Sequence, residues 1–373
     1  MNHSRRHFLQ ASAILSASGL IQQGWAADEK NPVPTVNERI QQEAQKAPLK
    51  MRFQGSTASE CRQWQQKFKT KLQTLLGPYR PPTKWQTTVE AKDQLADHTR
   101  IQLVLSANGH PALPVYLLIP KGESEKRRGG ILAIHGHSNH GYDSVAGRDE
   151  IEGVQAEIDK SNYDYGRQLV RRGYVVAVPC LTPFGRRSAG KDEYKGDNPC
   201  AITFLRMQAL GKVLMAQNLR DCLWAFELLA RQPQVDPERL GCVGLSYGGR
   251  MTMLTAAMEP RVRVAVMSGA LNVLQERIQR RYRGGCQIIP SLLEHGDVPE
   301  IASLIAPRRA IWETGNSDKI IVEPWASEAF AQIERAYRAL AVPNHLVRAR
   351  FEGGHQWHGD LACHVFEQEL QPQ

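Results

Sequence analysis

The residues best suited to chemistry lie in a short stretch around Ser246. An apolar run at 240–245 ends at this serine, and helix-forming residues follow at 251–258. Gly244 and Gly248 stand two residues before and after it, which completes the pattern G-x-S-x-G. On a sharp strand-to-helix turn, glycines let the strand and the helix pack closely, and the turn exposes the serine hydroxyl. The pattern predicts a nucleophilic serine. The alternative is a glycine-rich turn with an ordinary serine.

Asp318 and His355 are candidates for the two partners that a nucleophilic serine needs. A serine hydroxyl is a weak nucleophile until an imidazole accepts its proton and a carboxylate orients that imidazole. Both residues closely follow apolar runs that indicate strands. In an open parallel sheet, residues beyond the carboxyl ends of the strands meet at one edge, where ligands bind. Glu313 is an alternative to Asp318, and His358 is an alternative to His355.

A histidine-rich loop at 135–140, with the sequence H-G-H-S-N-H, follows another apolar run. Imidazoles at this spacing can converge on zinc, as in metallo-β-lactamase-fold hydrolases. However, Asn139 stands where that motif has an aspartate, and the elements downstream alternate between strand and helix. The interpretation we favour makes this loop one wall of an oxyanion hole. The backbone N–H groups of His137 and Tyr247 are then the two donors.

The periodicity of the chain indicates the elements that position these residues. From Thr99 onward, short apolar runs alternate with amphipathic helical patterns, of which the clearest covers 219–229. Continuous apolar strands that alternate with helices predict a mostly parallel central sheet with helices on both faces. We expect one such domain at 98–373. Its strands are expected at 101–105, 115–119, 131–135, 174–178, 240–245, 262–267, 310–312 and 346–351.

The first quarter of the chain predicts a signal peptide and a helical arm. Arg5 and Arg6 precede a weakly apolar stretch and a small-residue cleavage site near Ala26, as in twin-arginine export signals. The apolar stretch is too short to span a membrane, and no cysteine follows it for a lipid anchor. We therefore expect a signal peptide at 1–26, passage through the twin-arginine export machinery, and a periplasmic or secreted protein without a stable membrane anchor. Residues 27–97 are expected to form a helical extension. It packs on the main domain or, alternatively, shapes the mouth of the site.

The charge and the cysteines exclude several other classes. The formal net charge is +9, but the basic residues form short clusters without a nucleic-acid-binding motif, so no nucleic-acid partner is expected. Seven cysteines are an odd number for a disulfide framework, although Cys180 and Cys200 could pair. Cys222 and Cys242 lie in predicted apolar elements and are expected to be buried thiols.

Taken together, these motifs resemble the α/β-hydrolase superfamily over about residues 98–373. The likeness is greatest to the acetyl xylan esterase and dienelactone hydrolase-like serine esterases. The stretches that carry it are 115–122, 134–137, 164–166 with 172–174, 235–240, 244–249, 304–308 with 314–318, and 353–355. The resemblance implies an α/β-hydrolase fold in which Ser246 is the nucleophile, His355 the base and Asp318 the orienting acid. It also implies that Tyr247 and His137 are the oxyanion donors and that no cofactor is needed.

The predicted function is that of an exported serine esterase, acting on a small-molecule or carbohydrate ester through an acyl-enzyme. By analogy with the family, the substrate is an acyl ester of a carbohydrate or an aromatic alcohol. A serine peptidase of the prolyl-oligopeptidase type is an alternative, but the residues before 98 are too few for the propeller of those enzymes. A non-enzymatic binding protein on the same fold is a second alternative. A further hypothesis is that one of four arginines in the long loops binds an anionic substrate: Arg186, Arg187, Arg280 or Arg281.

Overall fold

The computed structural model describes residues 33–122, 124–188, 198–280 and 284–371. The predicted signal peptide at 1–26, including Arg5 and Arg6, lies outside the described residues, and so does Arg281. Within the described ranges, no helix combines the length and the apolar character needed to cross a membrane.

The described residues form a nine-stranded sheet with the order β1-β2-β3-β5-β4-β6-β7-β8-β9. The six strands from β4 to β9 run parallel to one another, whereas β1, β2 and β3 form an antiparallel edge in which β3 also pairs antiparallel with β5. The mostly parallel sheet predicted from the sequence is therefore confirmed. The strands are β1 (Gln86–Gln94), β2 (His98–Ala107), β3 (His110–Pro120), β4 (Arg128–Ile134), β5 (Val175–Pro179), β6 (Val235–Leu245), β7 (Val262–Ser268), β8 (Arg309–Gly315) and β9 (Leu346–Phe351).

Helices cover both faces of this sheet, which explains why its central strands are continuously apolar. In β4, Leu132 and Ile134 belong to one core cluster, and Ile131 and Ala133 belong to the other. The helices are α1 (Val36–Gln45), α2 (Ala58–Leu76), α3 (Tyr142–Val145), α4 (Val154–Ser161), α5 (Tyr165–Arg171), α6 (Pro199–Ala209), α7 (Leu214–Ala230), α8 (Tyr247–Met258), α9 (Leu274–Arg277), α10 (Val298–Ser303), α11 (Trp325–Ala339) and α12 (Asp360–Leu370).

The region before residue 98 differs from the all-helical extension expected from the sequence. The helices α1 and α2 are present, but β1 also lies here and pairs with β2. Most β1 side chains are exposed, so the strand has none of the apolar pattern by which a buried strand is recognised. The strand β1 is held instead by its backbone hydrogen bonds to β2. Because of this strand, the sheet begins about a dozen residues earlier than expected.

The helix α2 joins this first region to the main core. Phe68 and Leu72 are buried in the larger core cluster, and Gln65 donates to the backbone oxygens of Ser303 and Ala306, both at 2.9 Å. Threonine at position 57 caps the helix with Glu60 in a capping box. The helix therefore packs against the body of the domain.

The seven cysteines are all buried free thiols, so Cys180 and Cys200 do not pair. Cys222 and Cys242 are fully buried, as their positions in apolar stretches of the sequence predicted.

Candidate active site

The backbone around Ser246 makes a sharp turn between β6 and α8. Ser246 has φ +62° and ψ −119°, a strained conformation for a residue with a side chain. Its backbone N–H donates to the backbone oxygen of Ser268 at the end of β7, at 2.8 Å. Strain of this kind persists only where the surrounding structure holds it, and it is a frequent feature of nucleophilic serines.

The glycines of G-x-S-x-G are required by close backbone contacts. A Cβ atom at Gly248 would lie 1.9 Å from the backbone oxygen of Ile134, and one at Gly244 would lie 2.4 Å from the carbonyl carbon of Gly248. Both of the contacted atoms belong to the backbone, so no side-chain movement could relieve the clash. The spacing thus reflects the close approach of α8 to β4 and β6.

Asp318 and His355 lie beyond the ends of β8 and β9 and contact each other directly. Nδ1 of His355 is 2.7 Å from Oδ2 of Asp318. The other carboxylate oxygen of Asp318 accepts from the backbone N–H of Ile320 at 2.9 Å, and the Asp318 side chain is almost fully buried. Gly269 lies against the imidazole, since a Cβ there would be 2.7 Å from Cε1 of His355. This position therefore has to be glycine for the ring to fit.

Ser246 and His355 line the same cavity, whose volume is about 640 Å³. His137 also lines it, and the loop that carries His137 packs on the serine turn. At Gly136 a Cβ would lie 3.0 Å from Cβ of Ser246, and the Gly136 N–H donates to the hydroxyl of Tyr163 at 2.7 Å. Tyr247 is the first residue of α8, where backbone N–H groups have no intrahelical partner. The four residues Ser246, Tyr247, His137 and His355 are thus brought to one place.

Two sequence comparisons bear on the family. The model of the dienelactone hydrolase family matches residues 144–348, which is more than half of the chain. "Putative hydrolase YtaP" of Bacillus subtilis (strain 168) is 30% identical over 275 residues, 71% of this chain and 84% of the relative. The chain belongs to the dienelactone hydrolase family. It is a hydrolase of that family.

Solved structures with the same fold include several described as carbohydrate esterases. A Bacteroides fragilis protein described as a putative acetyl xylan esterase has a TM-score of 0.71 at 14% identity and covers 93% of this chain and 92% of its own. A CE15 glucuronoyl esterase from Teredinibacter turnerae has a TM-score of 0.60 at 16% identity, with coverages of 87% and 89%. At these identities, the likeness establishes the α/β-hydrolase fold and nothing finer.

In this dienelactone hydrolase family member, the two alternative triad residues make other contacts. Glu313 is fully buried and accepts from the hydroxyl of Ser268 at 2.6 Å and from the backbone N–H of Gly359 at 3.0 Å. Burial raises the pKa of the Glu313 carboxyl. His358 stacks on the Phe351 ring at 4.5 Å between centroids. Glu313 therefore links β7 and β8 to the segment that follows His355. The carboxylate that contacts the imidazole of His355 is that of Asp318.

The three histidines of the loop after β4 do not converge on a common point. His135 is fully buried, and its Nε2 accepts from the backbone N–H of Leu181 at 2.9 Å. Burial lowers the pKa of His135 to about 4, so its imidazole is neutral at physiological pH. The zinc site of the metallo-β-lactamase type is thus contradicted both by this contact and by the single, mostly parallel sheet.

Three of the four loop arginines suggested as anion-binding groups lie in the described ranges, and these three are engaged in ion pairs. Arg186 pairs with Glu90 at the edge of the sheet, and Arg280 pairs with Glu276 within one helical turn. Arg187 pairs with the fully buried Asp221 at 2.5 Å. The cationic side chains that line the cavity are instead those of Lys160 and Arg277.

Sequence reasoning missed two features of this region. The first is Tyr163, whose hydroxyl accepts from the backbone N–H of Gly136 in the loop after β4, and a lone tyrosine between two helices gave no signal of that. The second is a contact among His137, Cys200 and Cys286, whose ligand atoms all lie within 4.8 Å of one another. The hydrogen bonds with Cys286 and then with His137 lower the pKa of the Cys200 thiol, whereas burial raises the pKa of Cys286. The positions of these three residues, far apart in the chain, gave no hint of their contact.

Proposed function

We propose that this hydrolase is a serine carboxylic-ester hydrolase with Ser246 as nucleophile, His355 as base and Asp318 as orienting acid. The observation that carries the proposal is the 2.7 Å contact between His355 and Asp318, at a cavity that both His355 and a strained Ser246 line. Nucleophile, base and orienting carboxylate are the three roles that acyl transfer by serine requires.

The reaction runs in two steps. Ser246 Oγ attacks the ester carbonyl while Nε2 of His355 takes the hydroxyl proton, and Asp318 stabilises the resulting imidazolium through Nδ1. The tetrahedral oxyanion accepts from the N–H groups of Tyr247 and His137. Collapse of the intermediate expels the alcohol, which takes the proton from His355, and leaves an acyl-enzyme. Water, deprotonated by His355, then attacks the acyl carbonyl. When this second intermediate collapses, Ser246 Oγ takes the proton back from His355 and the acid is released.

The cavity supports a substrate with polar groups around its ester. Its lining combines apolar atoms with the charged side chains of Glu157, Lys160 and Arg277. Fold neighbours described as acetyl xylan and glucuronoyl esterases act, by their names, on carbohydrate esters. By analogy, an acyl ester of a carbohydrate or an aromatic alcohol is the proposed substrate class.

An ester-versus-amide panel tests the proposal against the peptidase and binding-protein alternatives. We expect the purified protein to hydrolyse p-nitrophenyl acetate and acetylated xylo-oligosaccharides, with a much lower rate on matched anilides and prolyl amides. A fluorophosphonate probe should label one site, and peptide mass spectrometry should locate the label on Ser246. Preference for the amides would favour a peptidase. No turnover together with no labelling would contradict an enzyme altogether.

We also propose that the protein is exported through the twin-arginine pathway. The support is the sequence alone: paired arginines before a short, weakly apolar stretch and a small-residue site near Ala26. In a host with this pathway, the full chain should be recovered from the periplasm in a form shortened near residue 26. Replacing both Arg5 and Arg6 by lysine should leave full-length protein in the cytoplasm. Unchanged export of the lysine variant would contradict the pathway.

A further inference from the structure

Two buried cysteines and a histidine meet beside the candidate active site. Nε2 of His137 is 3.1 Å from Sγ of Cys286, and the backbone N–H of Cys286 donates to Sγ of Cys200 at 2.9 Å. The three ligand atoms lie within 4.8 Å of one another. We propose that these side chains bind a thiophilic divalent cation of the Zn²⁺ class, through Nε2 of His137 and the thiolate sulfurs of Cys200 and Cys286.

The donor set and its spacing suit this kind of cation. Zn²⁺ binds thiolate sulfur at about 2.3 Å and imidazole nitrogen at about 2.0 Å, so tetrahedral ligand atoms stand roughly 3.5 to 3.8 Å apart. Ligand atoms within 4.8 Å of one another reach that arrangement by side-chain adjustments of about an ångström or less. Two thiolates balance the charge of a divalent cation, so the buried site carries no net charge. The cation binds the thiolate forms, so binding releases to solvent the protons that the thiols carry.

The local fold holds both cysteines in place. Cys200 is the second residue of α6, which Asn198 caps, and a helix N-terminus favours a thiolate over a thiol. Cys286 lies in a short 3₁₀ turn at Gly285–Gln287 that packs on α6. A Cβ at Gly285 would lie 2.6 Å from Cβ of Phe204. Glycine at this position therefore lets the turn approach the helix closely enough for the two sulfurs to meet.

A cation can reach the proposed site from the active-site cavity, through the exposed side chain of His137. His137 is an exposed residue that lines the active-site cavity, whereas both cysteines are buried. Its ring packs against those of Phe184 and Tyr247, with centroids 5.1 and 5.2 Å away. Three protein ligands leave one position of a tetrahedral cation for water. A bound cation therefore ties the loop after β4 to α6 and to the 3₁₀ turn.

Cobalt titration tests the site without relying on enzyme activity. The protein, reduced and stripped of metal, is titrated anaerobically with Co²⁺ and then with Zn²⁺ as competitor. We expect a single bound Co²⁺ per chain, with a near-ultraviolet thiolate charge-transfer band and visible bands typical of tetrahedral geometry. Zn²⁺ should displace it with a Kd of about 1 µM or tighter. At about 100 times the Kd, Zn²⁺ should raise the Tm by about 3–4 °C.

Matched cysteine variants distinguish this site from incidental binding. Cys286→Ala and Cys200→Ser should each weaken Zn²⁺ binding by at least about 100-fold and abolish or halve the charge-transfer band. Cys61→Ala is the control, because Cys61 is equally buried but lies in α2 and should leave binding unchanged. If a cysteine variant does not fold, His137→Gln at the exposed position provides the same test. Absence of stoichiometric binding in the reduced wild type, or equal binding by Cys286→Ala and wild type, would overturn the proposal.

Discussion

Replacement of Ser246 by alanine is expected to lower kcat for p-nitrophenyl acetate by about 10⁶-fold, the loss seen when a serine hydrolase lacks its nucleophile. Alanine keeps the Cβ atom and the backbone, so the turn between β6 and α8 stays intact while the attacking oxygen is removed. The cavity and the oxyanion N–H groups remain, so a small rate above that of water should persist. Steady-state kinetics with the purified variant measure this directly.

Two comparisons make the Ser246 result specific. Ser291 also has positive φ, at +60°, but it lies in an exposed turn and does not line the cavity. Ser291→Ala should retain wild-type kcat, which controls for the effect of removing a hydroxyl from a strained position. The Ser246→Ala, His355→Ala double variant should be about as slow as either single variant, because the two residues act as a unit. Turnover by Ser246→Ala close to that of the wild type would refute the assignment.

Asp318→Asn is expected to lower kcat by about 10⁴-fold with little change in the fold. The amide has nearly the shape of the carboxylate, and it can still occupy the position 2.7 Å from Nδ1 of His355. It cannot stabilise the imidazolium, however, and it favours the tautomer in which Nε2 already carries a proton. Single-turnover kinetics, with the Tm measured alongside, separate this chemical loss from a loss of stability.

Glu313→Gln is the matched control for Asp318→Asn. Glu313 lies in β8 and Asp318 lies just after it, but Glu313 is buried against Ser268 and Gly359 instead of against the imidazole. Its amide variant should lower the Tm by a few degrees, while kcat falls far less than in Asp318→Asn. The reverse pattern, with a 10⁴-fold loss at Glu313 and near-normal turnover by Asp318→Asn, would assign the orienting role to Glu313.

The sequence by itself determined the fold class and eight of the nine strands of the described sheet. Most of those strands are buried, so their apolar runs follow from their environment, and the clearest helix between them, α7, shows the 3.6-residue period. The G-x-S-x-G pattern was equally informative, because a Cβ atom at Gly244 or Gly248 would clash with neighbouring backbone atoms. A local steric requirement of this kind is visible in the residues themselves.

The tertiary structure alone decided the features that depend on contacts between distant residues. The edge strand β1 is held by its pairing with β2 and has exposed side chains, so no apolar pattern marks it. The choice between Asp318 and Glu313 as the partner of His355 depended on how the loops after β8 and β9 turn, and either carboxylate suited the order of the chain. A third such feature is the contact among His137, Cys200 and Cys286. These residues lie in three different segments, up to 149 residues apart in the chain. Spacing in sequence predicts contacts within one element, whereas contacts between elements depend on how the whole sheet folds.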